Sequence, residues 1–265
     1  MYSTTYHRAA SIAEAAQLIK QGDAKLLAGG MTLIPAMKTR LAAPSDLVDI
    51  GRIAELKGVT VSGSTITIGA GTTHAEVATD AALKAACPAL SRLADRIGDP
   101  HVRHMGTIGG SIANNDPAAD YPAALLALAA TIVTDQREIP ADEFFAGQFE
   151  TALEDGEIIT AVRFTAPDKA AYEKFPNPAS RYAIVGVFVA KGAGGVRAAV
   201  TGAGDDGVFR SSEIESALAS NFDASAFDGL TVPSDSLMTD IHASAEYRAN
   251  LIVVMANRAV ARANA

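Results

Sequence analysis

The residues best suited to chemistry are concentrated in one run, Gly106–Leu128, GTIGGSIANNDPAADYPAALLAL, preceded by Met105. Gly109 and Gly110 carry no Cβ, so a turn with positive φ is open to them and the backbone can approach a ligand closely. Successive N–H groups in such a turn converge on an anion, and Thr107 and Ser111 place hydroxyls at its edges. Asp116-Pro117 reads as an N-cap followed by proline at the first helical position, which predicts a helix over 118–130. Asp116 and Asp120, four residues apart, then share a face near that helix start, where carboxylates suit sugar hydroxyls. A phosphate nest beside a hydroxyl-binding acid is the outline of a nucleotide site.

A second run repeats the arrangement. Lys25-Leu26-Leu27 is a short strand candidate entering Ala28-Gly29-Gly30-Met31-Thr32, and Leu33–Leu41 reads as a helix with Pro35 in its first turn. The N-terminus of that helix would turn free N–H groups and positive partial charge toward the glycines. Glycine pairs are common in turns, so either run alone is bland; two strand–glycine–hydroxyl–helix runs reinforce each other. At a third junction, Gly69-Ala70-Gly71-Thr72-Thr73 puts small residues where a strand becomes a helix, and Thr73-His74-Ala75-Glu76 is a capping-box pattern.

The elements that must position these runs follow from periodicity. Ser11–Glu14 is a capping box opening a helix with Ile12, Ala15, Ala16 and Ile19 on one face, ended by Gly22. Asp46–Ile50 is a strand, 59–61 and 65–68 alternate as a hairpin, and 81–97 is helical with an interruption near Pro88. Asp99–His104 reads as a loop. His101 and His104 are three apart, but no acid or Cys accompanies them, so a metal site is not assigned; Arg103 faces a phosphate or makes an ion pair. Strands at 132–134, 138–139 and 158–164 surround a loop rich in acids and Phe, and 165–171 reads as a domain boundary. Beyond it, 183–190 pairs with 196–201 through a glycine turn, 211–220 is a helix, and 243–263 is a long amphipathic helix with Arg248, Arg258 and Arg262 on polar positions. Strands first and helices last make this second part α+β. Gly202–Gly207, GAGDDG, matches GxGxxG, but Asp205-Asp206 would repel a diphosphate and Val208–Arg210 delays any helix. It reads as a glycine turn between a strand and a helix. Residues 223–241 read as a loop.

Composition narrows the classes. With 265 residues and 49% hydrophobic content the chain can bury a sizeable core in one large or two modest domains. A net charge of −8 argues against a nucleic-acid partner, and 6% aromatics with no Trp leave few stacking platforms. Cys87 is the only cysteine, which excludes an internal disulfide and a Cys-ligated iron–sulfur cluster within this sequence. A lone Cys is ordinarily a small buried hydrophobe. The N-terminus carries no charged-then-apolar signal pattern and no apolar run reaches about 20 residues, so no transmembrane segment and a cytoplasmic location are expected.

AGGMTLIPAMKTR (28–40) and GTIGGSIANNDPAADYPAALLAL (106–128) resemble the paired flavin-binding signatures of the FAD-binding medium subunits of molybdenum hydroxylases, the xanthine dehydrogenase family. YEKFPNPASRYAIVGVFVA (172–190) resembles the start of that family's C-terminal domain, so the resemblance spans nearly the whole chain. Within the family the sequence is most similar to the aerobic carbon monoxide dehydrogenase branch. The resemblance implies an α+β fold: a two-lobed FAD-binding domain of the vanillyl-alcohol oxidase or PCMH type at 1–166, with lobes about 1–56 and 57–166, then a smaller α+β domain at 172–265. It implies that Ala28, Gly29, Gly30, Met31, Thr32 and Leu33 hold the FAD diphosphate, that Thr107, Ile108, Gly109, Gly110 and Ser111 form a second wall, and that Gly71 belongs to the site. Asp120 would bind a flavin hydroxyl, Lys174 would contact the cofactor across the domain boundary, and Tyr182 would lie beside the isoalloxazine ring. Met31 stands where His or Gln is frequent, and Ser180-Arg181 replaces a more usual Gly-Asp. No His adjoins either glycine pair as a covalent flavin anchor would, so the FAD is expected to be non-covalent.

The same resemblance implies a large subunit carrying the molybdenum cofactor, a small subunit carrying [2Fe–2S] clusters, a dimer of heterotrimers, and a quinone, NAD or oxygen as acceptor. A location at the inner face of the membrane is compatible with it. The whole complex would oxidise carbon monoxide, or alternatively a purine or other N-heterocycle. A self-contained flavin oxidase and a non-catalytic nucleotide-binding module are the rivals; 265 residues is short for the former.

Overall fold

The computed structural model describes residues 1–265. Three short strands, β1 (Thr5–Arg8), β2 (Ala24–Leu27) and β3 (Asp46–Asp49), form a parallel sheet in the order β1-β3-β2. Parallel neighbours need crossovers, and helices Ile12–Leu18 and Leu33–Lys38 supply them. Ser11 Oγ accepts the Glu14 N–H at 3.1 Å, the side-chain cap its position suggests. This lobe encloses a small core of Ala9, Ala15, Ala24, Val48, Ile50, Ile53, Leu56 and Ile158.

The second sheet is antiparallel. It is built from β4 (Val59–Ser62), β5 (Thr65–Gly69), β6 (Thr131–Thr134), β7 (Glu138–Pro140) and, after a two-stranded ribbon of β8 (Phe145–Gly147) and β9 (Glu150–Thr151), β10 (Ile159–Thr165). The order is β4-β5-β10-β6-β7. Its inward residues Ile66, Ile68, Ile132 and Val162 are enclosed under helices Pro88–Asp95, Ile108–Asn114 and Tyr121–Ala127. The acid- and Phe-rich loop expected around 140–157 in fact holds the short helix Ala141–Phe144 and the ribbon. Asp99–Met105 is not a loop: Asp99 Oδ1 accepts the Val102 N–H at 3.0 Å and caps the helix Pro100–Met105.

The third sheet is a meander, β11 (Lys169–Pro176), β12 (Ala183–Gly192), β13 (Gly195–Gly204) and β14 (Gly207–Arg210). GAGDDG is therefore a hairpin turn between two strands, with Gly204 opposite Gly207, rather than a strand-to-helix turn. The sheet is covered on both faces. Val185, Val187 and Val189 pack under the C-terminal helix Ala245–Asn264, while Phe188 and Ala190 join the core of the second lobe. The strand period of two sends alternate side chains to opposite faces, so one apolar strand belongs to two cores. Arg248, expected on a polar face, is instead buried: its guanidinium donates to the Ile184 and Gly202 carbonyls at 2.5 and 2.6 Å and meets Asp240 at 2.8 Å. Residues 223–241 contain a short 3-10 turn, Ala224–Phe227, and contribute Phe227 and Leu237 to the core.

Candidate functional site

The edge of the parallel sheet, the helix Ile108–Asn114 and the turn before β12 enclose one cavity of about 680 Å³. That size is in the range of small-molecule and cofactor sites, roughly 300–1,000 Å³. Its walls include Ala28, Gly29, Gly30, Met31, Thr32, Leu33, Thr107, Gly109, Gly110, Ser111, Asp120 and Tyr182. Ile108, Gly71 and Lys174 are not on the wall. Ile108 and Gly71 spend their N–H groups on Thr72 and Leu56 carbonyls, at 3.1 and 2.7 Å, inside the lobe.

The segment of the wall suited to an anion is Ala28–Leu33. None of its six backbone N–H groups donates within the protein. Thr32 adopts the N-cap position of Leu33–Lys38 without making a side-chain cap bond, so its hydroxyl is also free. Gly30 sits at φ +69°, a left-handed conformation that glycine adopts without a Cβ penalty. The segment is half-buried to exposed, and all six N–H groups lie along the cavity wall without a protein acceptor. A diphosphate supplies the matching acceptors.

The second glycine pair works differently from the turn expected. Gly109 and Gly110 are not at positive φ; they lie in the first helical turn of Ile108–Asn114. The N–H groups of Gly109, Gly110 and Ser111 are taken by Ala70 O, Thr107 Oγ1 and Thr107 O, at 2.8, 3.1 and 3.0 Å. Small size is their contribution. A Cβ on Gly109 would stand 2.6 Å from the Ala70 Cβ, whereas one on Gly110 would meet Thr107 Oγ1 at 3.0 Å and the Ala28 Cβ at an ordinary 3.9 Å. Gly109 lets the helix pack down, and Gly110 leaves the cavity wall smooth beside the Ser111 hydroxyl.

The helix predicted at 118–130 begins later, at Tyr121, and ends at Ala127. Asp116 caps only a turn, accepting the Ala118 N–H at 2.9 Å. The reason is tertiary: the carbonyls of Pro117 and Ala119 accept from the Thr201 hydroxyl at 3.0 and 2.7 Å, and Pro117 O also accepts the Gly202 N–H at 2.8 Å. The third sheet thus sets the turn that aims Asp116 and Asp120 at the cavity. Burial pushes the Asp116 carboxyl and the Tyr182 phenol above their ordinary values.

Behind the wall, Lys174 Nζ lies 3.0 Å from Asp120 Oδ2 and donates to the Arg96 carbonyl at 2.9 Å. Tyr172 OH donates to Asp120 Oδ1. Burial raises the Asp120 carboxyl and lowers the Lys174 ammonium, and their mutual attraction offsets part of each shift. Lys174 therefore reaches the cavity through Asp120. Arg96 binds Glu173 at 3.1 Å, and Glu173 also pairs with Arg262 of the C-terminal helix, extending the network from the second lobe through the third sheet to that helix.

Other sequence candidates lie apart from this wall. Arg103 donates to the Ile97 and Gly98 carbonyls at 3.0 and 3.2 Å. His104 Nδ1 contacts the Pro100 carbonyl at 2.6 Å. Cys87 is buried, which pushes its thiol up to about 11 and leaves it unreactive. Several wall residues lacked a sequence signal: Leu26, Ile50, Val102 and Glu157; Ala70 and His74 lie in the small-residue junction and capping box at 69–76. Glu157 is held down to about 2, chiefly by its ion pair with Arg137 at 2.9 Å.

A run of free backbone N–H groups on a cofactor-sized cavity, in a two-lobed fold followed by an antiparallel third sheet, is the arrangement of a protein suited to a dinucleotide cofactor. A sequence profile described as "FAD binding domain in molybdopterin dehydrogenase" matches residues 2–167, and the chain belongs to that family of FAD-binding medium subunits of molybdenum hydroxylases. The carbon monoxide dehydrogenase medium chain of Afipia carboxidovorans is 37% identical over 281 residues, covering 99% of this chain and 97% of that one. Carbon monoxide dehydrogenase from Oligotropha carboxidovorans superposes with a TM-score of 0.88 at 35% identity, over 99% of this chain and 98% of that one. Quinoline 2-oxidoreductase from Pseudomonas putida 86 gives 0.88 at 26% identity, over 99% and 97%. The fold expected from the sequence holds across these matches, and the chain is the FAD-binding oxidoreductase subunit of a molybdenum-dependent dehydrogenase. No helix is long and apolar enough to cross a membrane.

Proposed function

We propose that this chain is the middle carrier of a cytoplasmic complex in which electrons pass from [2Fe–2S] clusters of a small subunit to a quinone, NAD or oxygen. The substrate is oxidised on a large subunit that holds the molybdenum cofactor, and the complex is a dimer of heterotrimers. The observation that carries the reading is the run of free N–H groups at Ala28–Leu33 on the wall of a cofactor-sized cavity. Non-covalent FAD, when bound, supplies the redox chemistry that joins one-electron and two-electron partners.

The chain's own residues bind and orient. Ala28–Leu33 would hold the diphosphate, with Thr107, Gly109, Gly110 and Ser111 opposite. Asp116 and Asp120 are suited to cofactor hydroxyls, Lys174 fixes the Asp120 carboxylate, and Tyr182 is suited to cover the ring system. Residues 1–166 are read as the FAD-binding domain and 172–265 as a smaller second domain.

Carbon monoxide is the favoured substrate of the complex, on the greater identity to the carbon monoxide dehydrogenase chains. An N-heterocycle is the second reading, supported by the equal superposition on the quinoline enzyme. Purification of the tagged chain from its own host tests both. The expected result is flavin absorbance, iron–sulfur shoulders and two further chains, and oxidation of carbon monoxide by that complex. A colourless chain that takes up no added FAD overturns the flavin assignment, and oxidation of N-heterocycles alone selects the second substrate class.

A further inference from the structure

His74 is a buried polar group that the cofactor assignment above does not use. It is 5% exposed, stands at the start of the helix His74–Thr79, and lines the cavity together with Gly106. Its ring tilts at 46° against Tyr121, with centroids 5.4 Å apart. Nδ1 is fully enclosed and has no hydrogen-bond partner. Nε2 lies on the Gly106 side, where a Cβ on Gly106 would come within 2.6 Å of it.

Two physical points fix what this imidazole can do. Burial and the nearby Arg103 charge oppose protonation, holding the group down to about 4, so it is neutral at physiological pH. A neutral ring carries one N–H. An enclosed N–H without an acceptor is the rarer and costlier orphan, so the proton belongs on Nε2 and the bare lone pair on Nδ1. His74 therefore presents a donor, not an acceptor, toward Gly106.

Gly106 marks the seam between the two glycine runs. A Cβ on Gly29 would fall 2.8 Å from the Gly106 Cα, so Gly29, the second residue of the anion cradle, packs directly on it. We propose that His74 is a further cofactor contact whose Nε2–H donates to the diphosphate of the bound dinucleotide at the seam of Gly29 and Gly106. The assignment rests on the FAD reading above. It adds an imidazole donor to the backbone N–H groups and Thr32 hydroxyl of the cradle, giving Nε2 an acceptor while Nδ1 keeps its bare lone pair.

The test uses the full-length chain freed of flavin, with FAD and riboflavin as separate probes, followed by flavin fluorescence. His74→Leu should weaken FAD binding about tenfold, the effect of one lost hydrogen bond to a charged acceptor. His74→Gln, which can place an amide N–H near the Nε2 position, should stay within about threefold of the unsubstituted chain. Riboflavin, which has no diphosphate, should bind all three alike. In the unsubstituted chain, ring ¹⁵N shifts should report the Nε2–H tautomer, with the Nε2 signal moving when FAD is added. Equal FAD affinity for the Leu and Gln variants, an Nδ1–H tautomer, or an Nε2 signal indifferent to FAD overturns the proposal while leaving the FAD site intact. Failure of the unsubstituted chain to bind FAD overturns both readings. A misfolded Leu variant leaves the Gln variant and the ¹⁵N measurement to decide.

Discussion

Gly29 and Met105 meet backbone to backbone: a Cβ on Gly29 would overlap the Met105 carbonyl oxygen and lie 2.5 Å from its carbonyl carbon. This contact closes the two glycine runs onto one cavity, although 76 residues of sequence separate them (105 minus 29). Because the obstacle is backbone, Gly29→Ala cannot be absorbed by a rotamer change. Overpacking of this kind costs about 1–3 kcal/mol. We expect a lower melting temperature and loss of the FAD-induced rise in melting temperature. An FAD-induced rise equal to that of the unsubstituted protein would rule out a role for this contact in shaping the site.

Gly109 and Gly110 should separate fold from binding. Gly109→Ala drives a Cβ to 2.6 Å from the Ala70 Cβ and should destabilise the protein by about 1–3 kcal/mol. Gly110→Val meets the Thr107 hydroxyl and the Ala28 methyl and projects from an exposed wall position, so it should melt near normal and fail to retain FAD. Full flavin stoichiometry in purified Gly110→Val would contradict the assignment of this wall.

The Asp120–Lys174 pair predicts a double-mutant signature. Asp120→Ala leaves a buried ammonium and Lys174→Met leaves a buried carboxylate, and unpairing a buried ion costs about 3–5 kcal/mol. The double substitution removes both charges and should cost clearly less than the two single changes added together. Urea unfolding of the four proteins measures this, and simple additivity would show that the pair is not coupled.

Acid sensitivity should carry a histidine component. His74 is held at about 4 in the folded protein against an ordinary 6.5. Both states are neutral above pH 6.5; between 6.5 and 4 only the unfolded chain gains the proton, so stability falls as pH falls through that window. At about 1.4 kcal/mol per pH unit the loss is about 3 kcal/mol by pH 4. His74→Gln should lose less stability than the unsubstituted protein between pH 7 and pH 4.5 in urea titrations. Equal losses would assign the acid sensitivity to other groups.

Short-range features were legible because they are local. The N-cap at Ser11, the capping box at Thr73, the hairpin at 59–68 and the helix break at Pro88 depend on neighbours within a few residues and form where their patterns lie, although the Glu14 carboxylate accepts the Ala10 N–H rather than closing a full box at Ser11. The strand–glycine–helix junction at Ala28–Leu33 was legible for the same reason, since a strand, two glycines and a helix start lie consecutively. The misread positions share the opposite property. The 118–130 helix starts late because Thr201 and Gly202 take the carbonyls of Pro117 and Ala119. Arg248 is buried because carbonyls of two separate strands converge on it. Val208–Arg210 became a strand because the edge of β13 was there to pair with it.

The sequence by itself determined that this chain carries two runs of small residues at strand-to-helix junctions, in an α+β protein whose single cysteine is too few to hold a cluster. Glycine, hydroxyl and capping residues act through their own backbone, so their meaning survives without coordinates. Only the tertiary structure decided that the first run offers free N–H groups while the second offers a surface without Cβ atoms. It also decided that Lys174 acts behind Asp120 and that His74 turns a nitrogen to the seam. Those roles depend on which acceptors and which bulk arrive from distant parts of the chain. Long-range packing, unlike local conformation, is not written in any one stretch of residues.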